Sequence, residues 1–194
     1  MSMLGELTLF LGLHISQLKE GIFISQAKDV KEMLKRFSME DCKPVCTPMM
    51  TSCKLSKEDN SPSVDHTLYR SMIGNLLYLT ASRPDILQAV CMVARFQADP
   101  KQSHVAAVNR IFRYLRGTVE HGLWYPNSKS FDLKAYSDAN WACCVDERKS
   151  TNGGAFYLGN SLVAWHSKKQ ESVSLSIAEA EYLQRRHVVH RSSG

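Results

Sequence analysis

One stretch of the chain constrains the fold more than any other: residues 136–182, YSDANWACCVDERKSTNGGAFYLGNSLVAWHSKKQESVSLSIAEAEY. Its pattern reads strand, loop, strand, tight turn, strand, loop, helix. Leu133 and Ala135 lead an apolar strand ending at Asp138, which places that carboxylate at the sheet's edge. Thr151 to Leu158 and Ser161 to His166 are joined by Gly159-Asn160, a two-residue connection of the kind that closes antiparallel hairpins. A helix then starts with Ser176, three residues before Glu179, which is a capping-box spacing.

The box separates two neighbouring acids. Glu179 turns back to the N-cap backbone, whereas Glu181 points about 200° away around a helix of ~3.6 residues per turn, so the two share no face. A carboxylate of this helix that meets Asp138 across the sheet is therefore expected to be Glu181. A strand-end Asp facing a helical Glu is half of a two-metal phosphodiester site, in which clustered carboxylates hold Mg²⁺ ions that activate water and stabilise the leaving oxygen. On spacing alone a plainer alternative stands beside this one: Asp138 caps a turn and Glu181 is a solvated surface acid.

The words around the acids add a resemblance. YSDANWA, DERKSTNGG, LVAWHSKKQ, VSLS and AEAEY, in this order, resemble the ribonuclease H segment of copia-type retrotransposon polyproteins. In that family the Asp of YSDA and the second Glu of AEAEY are metal-binding carboxylates, and they match Asp138 and Glu181. The resemblance thus implies Mg²⁺, with Mn²⁺ as a substitute, and an RNA–DNA hybrid or primer–template duplex as partner.

The 194 residues allow one or two domains with enough core to fold. A hydrophobic content of 44% with 22% charged residues is that of an ordinary globular protein. The net charge of +5 is compatible with a polyanionic partner without requiring one. No apolar run approaches the length of a membrane-spanning helix, and the start lacks the basic region and cleavage site of a signal peptide, so an intracellular place, cytoplasmic or nuclear, is expected. Cys42, Cys46, Cys53, Cys91, Cys143 and Cys144 are expected to stay reduced, and no second ligand pair follows Cys42 and Cys46 at a zinc-finger distance.

Along the chain, Leu7, Leu9, Leu11, Leu13 and Ile15 alternate at period two, so residues 6–17 read as one strand, with Gly12 marking a bulge or a close backbone approach. Lys19-Glu20-Gly21 turns the chain into a partner strand over residues 21–25. A helix follows with Ala27, Val30, Met33, Leu34 and Phe37 on one stripe, its lysines forming a solvated face. Residues 41–64 carry three prolines without periodicity and read as a linker or surface loop. Three helices come next. Tyr69, Met72, Ile73, Leu76 and Leu77 stripe the first. Ser82 caps the second, with Pro84 in its first turn. The third buries Val105, Val108, Ile111, Phe112 and Leu115 and ends at Gly117. Its other side carries Arg110, Arg113 and Tyr114. Arginines with an aromatic on a helix can track a phosphate backbone, though the same pattern also describes the wet face of a packed helix.

The resemblance extends to this half. LGEL, FLGL, GIFISQ, DCKPVCTPM, YRSMIGNLLYLTASRPDI and RIFRYLRGT look like blocks of copia-type polymerase sequences that lie between the polymerase active site and the ribonuclease H domain. It implies an α+β chain: a palm-like β-hairpin and helix over 1–40, a linker over 41–64, a helical thumb- and connection-like region over 65–128, and a partial ribonuclease H-like mixed sheet with one helix over 129–194. The family reaction is RNA-directed DNA synthesis with hydrolysis of RNA in the hybrid. Against the family's pattern, the tyrosine-x-aspartate-aspartate polymerase signature and the Asp-Asn motif expected after AEAEY are missing, and Asn140 replaces an acid. The residues after Leu183, QRRHVVHRSSG, also depart from it, and a single-base frameshift of an old open reading frame accounts for them. The expected product is catalytically inactive as it stands. Two further readings stay open: a non-catalytic nucleic-acid-binding module using Arg110, Arg113, Arg116, Lys168 and Lys169, and a degenerate transposon-derived product with no selected role. Residues 130–194 are expected to be marginally stable and to aggregate through an exposed edge and an uncovered apolar face.

Overall fold

In a computed structural model, the structure describes residues 7–50, 55–127, 132–140, 146, 149–170, 173, 176 and 179. Among these the class is α+β. A four-stranded antiparallel sheet in the order β1-β2-β3-β4 and a three-stranded antiparallel sheet in the order β5-β6-β7 flank four α-helices.

The start of the chain departs from the single strand its alternation predicts. Strand β1 (Leu9–Phe10) reverses at Leu11 and Gly12 and returns as β2 (Leu13–Leu18). Both turn residues have positive φ, 48° and 81°, and Phe10 pairs with Leu13 across them. That geometry is the two-residue hairpin turn whose twist matches the strands. Period two continues through a tight turn, so alternation alone did not reveal the reversal. Gly12 also makes the close approach expected of it: an added Cβ would overlap the Tyr78 hydroxyl.

Strand β3 (Gly21–Ser25) pairs with β2 as predicted. Its other side takes β4 (Gly122–Pro126), a strand whose five residues show no sequence period. This pairing joins residues about a hundred positions apart and closes the N-terminal hairpin onto the end of the helical region.

Helix α1 (Ala27–Arg36) buries Val30, Met33 and Leu34, the i, i+3, i+4 positions of its stripe. Helix α2 (His66–Leu79) starts at Asp65, whose Oδ1 accepts from the Thr67 N–H at 2.8 Å. It buries Tyr69, Met72, Ile73, Leu76 and Leu79, whereas Leu77, expected on the stripe, is 42% exposed. Pro84–Ile86 forms a short 3₁₀ turn that runs into α3 (Leu87–Val93). Ser82 does not cap it: its hydroxyl is buried and donates to Gln26 Oε1 on the segment before α1. Helix α4 (Gln102–Gly117) ends at the expected glycine. The buried side chains of all four helices form one continuous core.

Strands β5 (Leu133–Asn140), β6 (Thr151–Leu158) and β7 (Ser161–Lys169) follow the predicted order. The β6–β7 turn is Gly159-Asn160, with Gly159 at φ 59°. Among the described residues, hydrogen bonds join this sheet to the helices. The Trp165 Nε1–H donates to the Thr80 carbonyl at 3.0 Å, Arg95 Nη2 donates to Thr151 Oγ1 at 2.8 Å, and the Cys91 thiol donates to the Ser167 carbonyl. No helix among the described residues is long and apolar enough to cross a membrane.

Candidate functional site

Asp138 lies near the end of β5, where Gly153 of β6 opposes it. Side chains alternate across a strand, so Lys134, Tyr136 and Asp138 share one face. By register, Tyr157, Ala155 and Gly153 of β6 and Trp165 and Ser167 of β7 lie on the same face. This face borders a cleft of about 470 Å³, closed on its far side by Pro84, Asp85, Leu87 and Gln88. The cleft is therefore the seam between the three-stranded sheet and the helices. Its lining mixes aromatic and apolar side chains with polar ones, Gln88, Thr151, His166 and Ser167 among them, and carboxylates come from both walls.

The two carboxylates differ in state. Asp138 is exposed. Asp85 is held: Arg83 donates from Nε to Oδ1 at 3.0 Å and from Nη2 to Oδ2 at 2.8 Å, and the Tyr114 hydroxyl donates to Oδ2 at 2.8 Å. Burial pushes the Asp85 carboxyl up, but the hydrogen bonds and charge of Arg83, with Tyr114, outweigh it and hold the group below the usual carboxylate range. Arg83 is itself 1% exposed and also donates to the Thr118 carbonyl and hydroxyl, at 2.9 and 2.7 Å. Every strong bond of Asp85 is thus directed into the protein. Sequence reasoning took Ser82-Arg83-Pro84-Asp85 as a helix start and missed this buried ion pair. The only signal for it was an Arg two residues before an Asp, which is too common to read.

Glu181, the expected partner of Asp138, lies outside the described residues. The cap that selected it is in part present: the Glu179 N–H donates to Ser176 Oγ at 3.1 Å, the N3-to-N-cap bond of the box. Among the described residues no group of three His, Cys, Asp or Glu side chains comes together as a metal site. The cleft supplies one open carboxylate, since Asp85 is committed to Arg83 and Tyr114. The described donors do not make up a two-metal centre, and no metal-dependent step follows from them.

The basic candidates fall into two places. On α4, Arg110 Nη2 donates to Thr47 Oγ1 at 2.8 Å, Arg113 Nε to the Lys43 carbonyl at 2.8 Å and Arg116 Nε to the Glu40 carbonyl at 2.6 Å. The arginines stand at i, i+3 and i+6, and their acceptors run the opposite way along the chain. Residues 40–47 therefore lie antiparallel to α4 as a strap. The Val45 N–H adds a bond to the Arg113 carbonyl, and Pro44 packs 3.1 Å from where a Gly117 Cβ would stand. Lys168 and Lys169 lie on opposite faces of β7, opposite Asn152 and Thr151, and the structure does not bring them together with the arginines of α4 into one row. Further along the same linker, Asp146 accepts from the Ser56 hydroxyl and from the Lys57 N–H, so the linker touches both halves of the chain. Cys42, Cys46 and Cys91 are free thiols, and Cys53, Cys143 and Cys144 lie outside the described residues.

The chain is similar to the retrovirus-related Pol polyprotein from transposon RE1 of Arabidopsis thaliana, at 42% identity over 188 residues, covering 97% of this chain and 13% of that polyprotein. It is 38% identical over 189 residues to the Pol polyprotein from transposon TNT 1-94 of Nicotiana tabacum, covering 93% of this chain and 14% of the relative. An uncharacterized mitochondrial protein of Arabidopsis thaliana matches at 36% identity over 179 residues, 92% of this chain and 74% of that protein. The chain thus spans about one seventh of the polyproteins it matches, while a far shorter protein carries most of the same region. No protein-family model matches the chain. No solved structure matches it.

Proposed function

The chain belongs to the copia-type retrotransposon Pol polyproteins, and from that premise we propose that it is the joint between their reverse transcriptase and ribonuclease H regions. In the intact polyprotein this joint takes part in RNA-directed DNA synthesis and in hydrolysis of RNA in the RNA–DNA hybrid. In this chain the reading makes Asp138 and Glu181 the remaining carboxylates for Mg²⁺ or Mn²⁺, too few for cleavage alone. The observation that carries it is Asp138: an exposed carboxylate late in β5, beside a hairpin closed by Gly159-Asn160 and followed by the Ser176–Glu179 cap. Those parts occur in the order the family's motifs run.

On this reading the chain holds a hybrid or primer–template duplex without cutting it. Arg110, Arg113 and Arg116, each of which already donates one N–H to the strap, are the first contact candidates, with Lys168 and Lys169, on opposite faces of β7, as separate further ones. The experiment is binding of a labelled RNA–DNA hybrid across a salt series. Neutralising several phosphates makes log K fall with log salt at ~0.9 per phosphate contact for a duplex of B-DNA charge density. A slope equivalent to several contacts supports the reading. Weak binding that salt does not change counts against it, and leaves a degenerate product without a nucleic-acid role.

A further inference from the structure

We propose that two copies of this chain associate by pairing their β5 strands edge to edge, antiparallel about a twofold axis at Tyr136, into one continuous six-stranded sheet. The inference concerns self-association without nucleic acid or metal, and does not rest on the proposed function.

The strand is the most open edge among the described residues. Of the other sheet-edge strands, β1 has two residues and β4 ends at Pro126, which has no N–H to offer a neighbour. Strand β7 packs beside β4 and α3. Strand β5 has eight residues and no proline, and pairs with β6 without a bulge. Residues 132–138 are all exposed, Leu133 by 69% and Tyr136 by 61%. Its outer side has no strand partner among the described residues. A long, straight, uncharged-at-centre edge of this kind is a template for another strand.

The side chains select the second copy and one register. In a twofold antiparallel pair, opposed residues share a face. Centring the axis on Tyr136 sets the two Tyr136 rings against each other. Lys134 of each copy then meets Asp138 of the other, so two opposite-charge pairs form on the same face. Opposed residues of this kind stand at the closest cross-strand spacing, where opposite charges attract and like charges repel. Centring on Ala135 instead opposes Asp132 to Asp138, two like charges, at both ends. Centring on Ser137 opposes Asp138 to Tyr136 and gives neither charge an opposite. The edge is therefore self-complementary in one register and mismatched in its neighbours.

The test is sedimentation equilibrium of the full 194-residue chain with a charge swap. The expected result is a concentration-dependent dimer for the unaltered chain. Lys134→Asp places two carboxylates opposite each other at both pairs and is expected to raise the dimer dissociation constant at least tenfold. Asp138→Lys does the same with two ammonium groups. The double variant Lys134→Asp/Asp138→Lys restores both pairs in reversed order and is expected to recover dimerisation. A chain that stays monomeric across the accessible concentrations overturns the proposal. So does dimerisation, or open-ended aggregation, that neither single swap weakens.

Discussion

At the scale of single residues, the structure depends most on Arg83. Its guanidinium is almost fully buried and bonds Asp85 twice and Thr118 twice, tying the start of α3 to the end of α4. Removing one partner of a buried pair leaves a desolvated charge behind, so Arg83→Ala is expected to cost ~3 kcal/mol in a denaturant melt, the low end of such effects because Asp85 keeps some contact with water. The same pair gives a pH dependence. The Asp85 carboxyl is held below its unfolded value, so its contribution is present above the ordinary carboxylate range of ~3.9 and is lost as pH falls through the depressed value. Acid unfolding of the Asp85→Asn variant should show a shallower loss of stability in that window. Gly12 is the second sensitive position. With φ at 81° and the Tyr78 hydroxyl in the space of a Cβ, Gly12→Ala is expected to destabilise by at least ~1–2 kcal/mol. These two residues differ in legibility. A glycine inside an alternating run announces a special backbone position. A buried arginine does not, because its partner at Thr118 is 35 residues away and nothing local distinguishes it from a surface cation.

At the scale of elements, periodicity found the helices and the β6–β7 hairpin, because a stripe or an alternation sustained over several turns arises from little besides regular structure with one buried face. It missed β4, where five residues, Gly-Leu-Trp-Tyr-Pro, are too few to display a period. It also missed the strap. Residues 40–47 have no periodicity because hydrogen bonds from α4, and not a buried face, hold them in place. The arginine row was legible as a row, but its acceptors were not: two of the three are backbone carbonyls, which every residue has. Replacing Arg110, Arg113 and Arg116 together by Gln is therefore expected to free the strap while leaving the core helices intact. Cleavage after Glu40 by a glutamate-specific protease should speed up, with little change in helix content by circular dichroism. Unchanged protection at Glu40 would show that Pro44 and Val45 hold the strap without the arginines.

At the scale of the whole molecule, the core belongs to the helices, and the three-stranded sheet leans on them through Trp165, Arg95 and Cys91. A sheet of three strands with much of its surface open has little apolar burial of its own. Residues 130–194 produced alone are thus expected to lack a cooperative transition and to aggregate, whereas the full chain melts with its helical core. A sharp melt of the isolated segment at mesophilic temperatures would contradict this. The cleft containing Asp138 exists only where sheet and helices meet, so its chemistry depends on that docking. The position of Asp138 late in a strand was legible from the alternation before it, but the seam and the commitment of Asp85 to Arg83 were not, since both depend on which wall of the cleft the sheet faces. The decisive measurement is cleavage of a labelled RNA–DNA hybrid by the folded chain with Mg²⁺ or Mn²⁺, beside the Asp138→Asn variant. No cleavage by either protein is expected, since Asp138 is the one open carboxylate in the described cleft. Cleavage by the unaltered chain that disappears in Asp138→Asn would contradict that expectation, and would mean that the carboxylates present are enough.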